Sequence, residues 1–368
     1  MAATEHFDAV IVGSGFGGSV MASELAAAGL RVCVLERGKR YPPGSFPRAP
    51  YAMARNFWDP SQGKYGMFAV WSFQHSGAVI GSALGGGSMI YANVLIRKPE
   101  AWFQERMPDG SWQPWPVGRA DLEEHYDAVE KILGATRYPA DVAPYDRTPK
   151  MLGLKAAAAK LNLTWYRPNL AVTFAIAGKP PIPGEPIDEP PNLHDRRRFT
   201  CRLCGECDIG CNYGSKNTLD YNYLTLAQRS GADLRDLAEV RSFRPRSGGG
   251  YEIDYVRHDP VRWEGRPRDT RAMPIQTLTS RRLILAAGTA CVSPSIHCRS
   301  SISVTSGVLW LSRISRRATA SRIRSRRRSG STASQEGSSE GRSRTERIGG
   351  SAHSRAGSSD SRRLLTRS

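Results

Sequence analysis

The sequence is poor in histidine, with 7 in 368 residues, and its lysine stops at Lys216. It contains no phosphate-binding P-loop, no His-Glu-x-x-His run and no Gly-x-Ser-x-Gly elbow, so nothing in it points to a P-loop NTPase, a zincin or a serine hydrolase. The first residues, Met-Ala-Ala-Thr-Glu-His, lack the basic stretch and the cleavage site of a secretory leader, and a cytoplasmic, reducing compartment is the expectation. Cysteine numbers 7, an odd count with four members inside eleven residues, unlike a spread disulfide framework. One uncharged stretch, residues 76–96, has the 21-residue length of a membrane helix. Five of its residues are Gly77, Gly81, Gly85, Gly86 and Gly87. Glycine at that density favours turns, so no membrane span is expected. No internal repeat is visible.

What the chain does have is enough apolar residue, 40%, to bury a core, and a formal charge of +18 that is unevenly placed. Residues 290–368 hold 16 Arg, no Lys and 4 acids, a net of +12, together with 22 Ser. The preceding 289 residues carry only +6. The body is therefore an ordinary globular composition and the tail a different polymer. A charge of this size invites a nucleic-acid reading. The tail lacks the lysine, interleaved aromatics and repeats of such segments. The expectation is a disordered, low-complexity tail read out of frame from a GC-rich gene, with no nucleic acid bound; a basic-tailed nucleic-acid-binding protein is the alternative.

Within the body, residues 7–12 form a short apolar run read as a buried strand. Gly13-Ser14-Gly15-Phe16-Gly17-Gly18 follows, then an Ala/Leu/Met-rich helix over 19–28 closed by Gly29, then a strand over 31–35. This is a βαβ unit. Gly13-x-Gly15-x-x-Gly18 has the spacing that cradles a pyrophosphate against a helix N-terminus. Glu36, 23 residues after Gly13, ends the next strand, where a carboxylate accepts hydrogen bonds from a ribose diol. Further along, helices are expected over 118–133, 148–161 and 220–230, a proline-rich loop over 180–191, and strands over 251–256 and 282–287. His6, His75, His125, His194 and His258 are isolated and read as surface or satisfied core residues.

A second glycine cluster runs Gly81-Ser82-Ala83-Leu84-Gly85-Gly86-Gly87-Ser88-Met89-Ile90-Tyr91-Ala92-Asn93. Successive glycines let backbone lie against a flat or phosphorylated ligand. With Glu36-Arg37-Gly38, Trp115-Pro116, the stretch from Cys204 to Thr218 and Leu285-Ala286-Ala287-Gly288-Thr289, this cluster resembles the glucose–methanol–choline (GMC) oxidoreductases, most of all their bacterial cholesterol-oxidase-like branch. The resemblance spans residues 7–289. It implies an α/β fold: a Rossmann-type FAD domain, a parallel sheet with helices, plus a partial substrate or cap region. The expected divisions are 1–96 and 201–289 for the two parts of the FAD domain, 97–200 for the partial cap, and 290–368 for the tail.

The resemblance also implies FAD as cofactor, held by Gly13, Ser14, Gly15, Phe16, Gly17, Gly18, Glu36, Arg37, Gly85, Gly86, Gly87, Ser88, Asn93, Val240, Ala287 and Gly288. Better-known cholesterol oxidases carry an asparagine where Tyr91 aligns, with Asn93 two residues later. The family oxidises alcohols by hydride transfer to flavin, and the substrate it implies is a small-molecule alcohol of the sterol class, with O2 or another acceptor taking the electrons. Its catalytic histidine lies in the C-terminal part and is not carried onto any residue here; His297 and His353 fall in the aberrant tail. A catalytically incomplete FAD-binding remnant is therefore a second expectation. Without the helix after Ala287, one face of the sheet is expected to be bare and the chain aggregation-prone.

Cys201-x2-Cys204-x2-Cys207-x3-Cys211 has the spacing of bacterial ferredoxins, although Asn212 stands where those have proline. The expectation is no metal, with buried thiols packing a loop; a zinc site and an iron–sulfur cluster stay open.

Overall fold

The stretch after Glu5, apolar but for His6 and Asp8, forms β1 (His6–Val12), and the glycine turn leads into α1 (Phe16–Ala27) and β2 (Val32–Leu35). The helix starts three residues earlier than its Ala/Leu-rich part suggests, because Gly17 and Gly18 belong to its first turn. The computed structural model describes residues 4–288. After β2 come a hairpin, β3 (Phe68–Ser72) and β4 (Gly77–Gly81), and two helices, α2 (Arg119–Ile132) and α3 (Pro149–Lys160). They are followed by α4 (Tyr223–Arg229), β5 (Asp233–Arg235), β6 (Ala238–Pro245), β7 (Tyr251–Arg257) and β8 (Ile275–Leu285).

One six-stranded sheet has the order β5-β2-β1-β8-β7-β6. The first four strands are parallel, and β8, β7 and β6 form an antiparallel meander. The fold is thus α/β, a Rossmann-type arrangement. β8 is 11 residues long and serves both halves. Its first part, Ile275 to Ser280, pairs with β7, and its last part, Arg282 to Leu285, pairs with β1.

Two cores cover the sheet. On one face Ile11, Val32 and Val34 meet Ala22 and Ala26 of α1 and Tyr223, Leu224 and Ala227 of α4. On the other, Phe7, Val10, Cys33 and Leu35 meet Ala238, Ile253, Tyr255 and Leu278 of the meander. β1 and β2 are therefore covered on both sides, contrary to the expected bare face. Exposed apolar residues of β8 stand at its two ends, Ile275 at 55% and Leu285 at 50%, and only β1 flanks residues 282–285.

The helix expected over 220–230 is shorter because Asn222 caps it, its side-chain oxygen accepting the Tyr223 N–H at 2.7 Å. β8 begins seven residues before the strand expected over 282–287. The uncharged stretch 76–96 is β4 followed by a 3-10 turn at Gly86–Met89. Among the described residues no helix is long and apolar enough to cross a membrane. The amphipathic α2 buries none of its residues; Arg97 ties it down through Glu123, Asp127 (2.6 Å) and Glu130 (2.8 Å). The expected tail, 290–368, and Thr289 lie outside the described residues, as do His297 and His353.

Candidate functional site: a cleft between two glycine motifs

At the carboxyl ends of β1, β2 and β8 lies a cleft of about 870 Å³. Doubly wound sheets bind ligands at this edge, where strand ends open away from one another. Its floor is backbone. Gly13, Gly15 and Gly17 come from the first motif, Gly86 and Gly87 from the second, and Ala287 and Gly288 from the end of β8. Phe16, Glu36, Arg37 and Val240 complete the expected residues that reach it.

The two motifs touch. A Cβ on Gly86, whose φ is +53°, would sit 2.8 Å from the Gly15 Cα, so a side chain there would prise the motifs apart. A Cβ on Gly18 would lie 2.0 Å from the Gly13 carbonyl oxygen, which is why α1 can lie so close to its own turn. Gly15, Gly17, Gly87 and Gly288 differ: a Cβ on any of them meets nothing within 4 Å. Their faces look into the cleft.

Glu36 is buried at the cleft wall. Its carboxylate accepts the Ser14 N–H at 3.0 Å, the Ser14 hydroxyl at 2.8 Å and the Gly38 N–H at 2.9 Å. Burial pushes its carboxyl up from the ordinary range, against the pull of the Gly38 and Ser14 donors. Beyond it Glu239, also in the cleft wall, accepts from His258 at 2.8 Å and pairs with Arg241 at 3.1 Å. Burial would raise Glu239, but His258 and Arg241 outweigh it and hold the carboxyl below its usual range.

Five expected residues do not line the cleft. The Ser14 hydroxyl faces Glu36 and Gly85, and Gly18 faces Gly13. Gly85 and Ser88 hold the 3-10 turn, the Ser88 hydroxyl donating to the Gly85 carbonyl at 2.7 Å and accepting the Leu219 N–H at 3.2 Å. Asn93 is buried with φ +66° and its carboxamide faces the Cys207 thiol. Residues the sequence reading left out do line it: Trp71, Val79 and Ile80 of the hairpin, Tyr91, and Ala238, Glu239 and Arg241 of β6. Phe68–Ser72 and Gly77–Gly81 show no apolar/polar alternation, so periodicity gives no signal for the hairpin.

Residues 11–77 match the family described as NAD(P)-binding Rossmann-like domain. A cholesterol oxidase of Mycobacterium tuberculosis is 34% identical over 284 residues, 77% of this chain and 46% of that protein. A cholesterol oxidase of Acinetobacter baumannii is 33% identical over 253 residues, 67% of this chain and 44% of that protein. The chain belongs to the GMC oxidoreductases, in their cholesterol-oxidase-like branch. An uncharacterised GMC-type oxidoreductase of Mycobacterium tuberculosis is also similar, 30% identical over 258 residues, 68% of this chain and 34% of that protein. The chain spans less than half the length of these GMC relatives.

FAD is the cofactor of this branch, and the cleft fits it. The glycine faces at Gly15, Gly17 and Gly87 leave room that any side chain would fill, and the Glu36 carboxylate follows the end of β2 in the cleft wall.

Apart from the cleft, Cys201, Cys204, Cys207 and Cys211 line one small cavity of about 20 Å³ together with Lys216. All five described cysteines are free thiols. Burial pushes the Cys201 thiol up to about 12 and the Lys216 ammonium down to about 8. His194, which accepts or donates to Asp220 at 2.6 Å, and His258 are both buried and bonded, while His75 and His125 are exposed.

Proposed function

We propose that this chain supplies the FAD-holding part of an oxidoreductase acting on a CH–OH donor, with a sterol-class alcohol as substrate. The contact between the two glycine motifs at the mouth of a backbone-floored cleft carries the reading. The N–H groups of Gly13 to Gly17, at the positive end of α1, would hold the pyrophosphate. Glu36 would accept the ribose hydroxyls and disfavour a 2′-phosphate, and the β6 residues Ala238 to Arg241 would bound the adenine end. Gly86, Gly87 and Tyr91 would support the flat ring system. When bound, the flavin supplies the acceptor for the hydride leaving the alcohol carbon. The chain's own part is to orient the dinucleotide and to exclude water from its phosphates. O2 is proposed as the electron acceptor, and the free thiols suit the reducing cytoplasm.

A second reading is a cofactor-holding remnant without turnover. It is favoured by the absence of histidine from the cleft wall among the described residues. One experiment separates the two. The purified chain is loaded with FAD, its absorbance recorded, and a sterol added without oxygen. Bleaching of bound flavin supports the oxidoreductase. Bound but unbleached flavin leaves the remnant. A chain that cannot retain FAD through desalting sinks both.

A further inference from the structure

We propose that Lys216 is a positioning residue for the cofactor: its buried ammonium, set behind the cleft wall at Tyr91, stabilises the reduced flavin and raises the flavin's reduction potential. This rests on the reading that Gly86, Gly87 and Tyr91 support the flat ring system. Three observations carry it.

The first is place. Lys216 stands in the partition between the cleft and the small cavity of the cysteine loop, lining the cavity and not the cleft. Its ammonium is 4.9 Å from the centre of the Tyr91 ring, and Tyr91, Ile90 and Gly87 line the cleft. The charge is therefore one residue deep behind the cleft wall.

The second is the hydrogen bonding. The ammonium donates to the carbonyls of Met89 (3.1 Å), Tyr91 (2.7 Å) and Cys207 (2.9 Å). An ammonium has three N–H donors and a neutral amine only two, so three carbonyls select the charged form. Met89 ends the 3-10 turn of the second glycine motif. The same bonds thus fix the turn whose Gly87 face opens into the cleft.

The third is a missing counter-charge. Lys216 is 1% exposed. A lysine so buried is ordinarily paired with a carboxylate. The titratable groups that face it are Cys207, Asp208, Cys211 and Asp220, with Tyr91. Asp220 is engaged with His194 at 2.6 Å, and among the described residues neither aspartate forms an ion pair with Lys216. Burial holds the Cys207 thiol above its ordinary value and pushes the Tyr91 hydroxyl up to about 12, so both are neutral at pH 7. The carbonyls satisfy the N–H groups and leave the charge without an anion. Away from water that charge is weakly screened. Two electrons and one proton turn bound FAD into an anion, and the cation behind Tyr91 favours that form. At neutral pH Lys216 keeps its own proton throughout.

The test loads the full chain with FAD and reads the midpoint potential against a dye of known potential during stepwise reduction. Lys216→Gln keeps hydrogen-bond donors and removes the charge. It should hold reduced FAD about tenfold or more less tightly relative to oxidised FAD, a fall of about 30 mV for two electrons. Lys216→Arg keeps the charge and should hold the wild-type potential. A residue that only braced the turn would loosen both oxidation states alike, so an unmoved potential in Lys216→Gln overturns the proposal. A second measurement needs no variant. Burial pushes the Lys216 ammonium down to about 8 in the FAD-free chain, and an anion beside it raises that value. Reduction of the wild type should therefore take up more protons at about pH 9 than at about pH 7.5. Equal uptake overturns the proposal even where the variants fail to fold. A wild-type chain that sheds its FAD overturns the ring-support reading instead, and this inference with it.

Discussion

The Ser14 hydroxyl accepts the Gly85 N–H at 2.9 Å, and through that one bond the first glycine motif holds the second. The same hydroxyl donates to Glu36 at 2.8 Å, so a fully buried serine ties together both motifs and the Glu36 carboxylate. Ser14→Ala removes both bonds and leaves the buried Gly85 N–H without a partner. A loss of about 1–3 kcal/mol is expected in urea unfolding. An unchanged unfolding midpoint would show that water replaces the hydroxyl.

Gly17 and Gly18 are neighbours in one helix, and they should answer the same substitution in opposite ways. Gly18→Ala sets a Cβ 2.0 Å from the Gly13 oxygen and should destabilise by about 1–3 kcal/mol. Gly17→Ala meets nothing within 4 Å and should stabilise the helix by about 0.5–1 kcal/mol. Thermal melts of the two variants without FAD make the comparison. Equal shifts would contradict the packing described for α1.

Gly87→Val separates cofactor binding from folding. The new side chain points into open cleft, so the melting temperature of the FAD-free chain should hold. FAD affinity should fall tenfold or more, about 1.4 kcal/mol or greater. Fluorescence titration with FAD reads this directly; undiminished affinity would move the dinucleotide elsewhere.

Cys33, fully buried in β2, predicts an alkaline effect. Burial raises its thiol from about 9 to about 12. Between those pH values the unfolded chain has released the proton and the folded chain still holds it. Stability should therefore be intact below pH 9 and fall above it, by up to about 1.4 kcal/mol per pH unit from this group. Cys33→Ala should flatten the loss between pH 9 and 12, apart from its own cavity cost. An identical alkaline slope in the variant would reject the assignment.

The cleft was legible in the sequence where its chemistry is local. Gly13, Gly15, Gly17 and Glu36 sit within one βαβ unit, and the spacing of glycine and carboxylate is set by the length of one helix and one strand. Asn93 and Ser88 were not so legible. Both lie in or beside the second motif, but a tight 3-10 turn and a positive φ turn their side chains away from the cleft. Arg241 and Glu239 escaped because their strand has no glycine signature and its place depends on pairing with β7. The hairpin residues Trp71 and Val79 escaped because β3 and β4 are short apolar runs without alternation, and glycine at either end of β4 reads as turn.

β1 must wait for its partner. His6 and Thr279, bonded at 3.0 Å, are 273 residues apart, and β8 closes the open side of β1. At the usual pace of translation, β8 leaves the ribosome about 15–55 s after β1. Through that interval β1 can pair with β2 but keeps a free edge, apolar from Ala9 to Val12 and open to other nascent chains. Yield of soluble protein should therefore depend on chaperones and on the speed of synthesis more than on the final stability of the sheet.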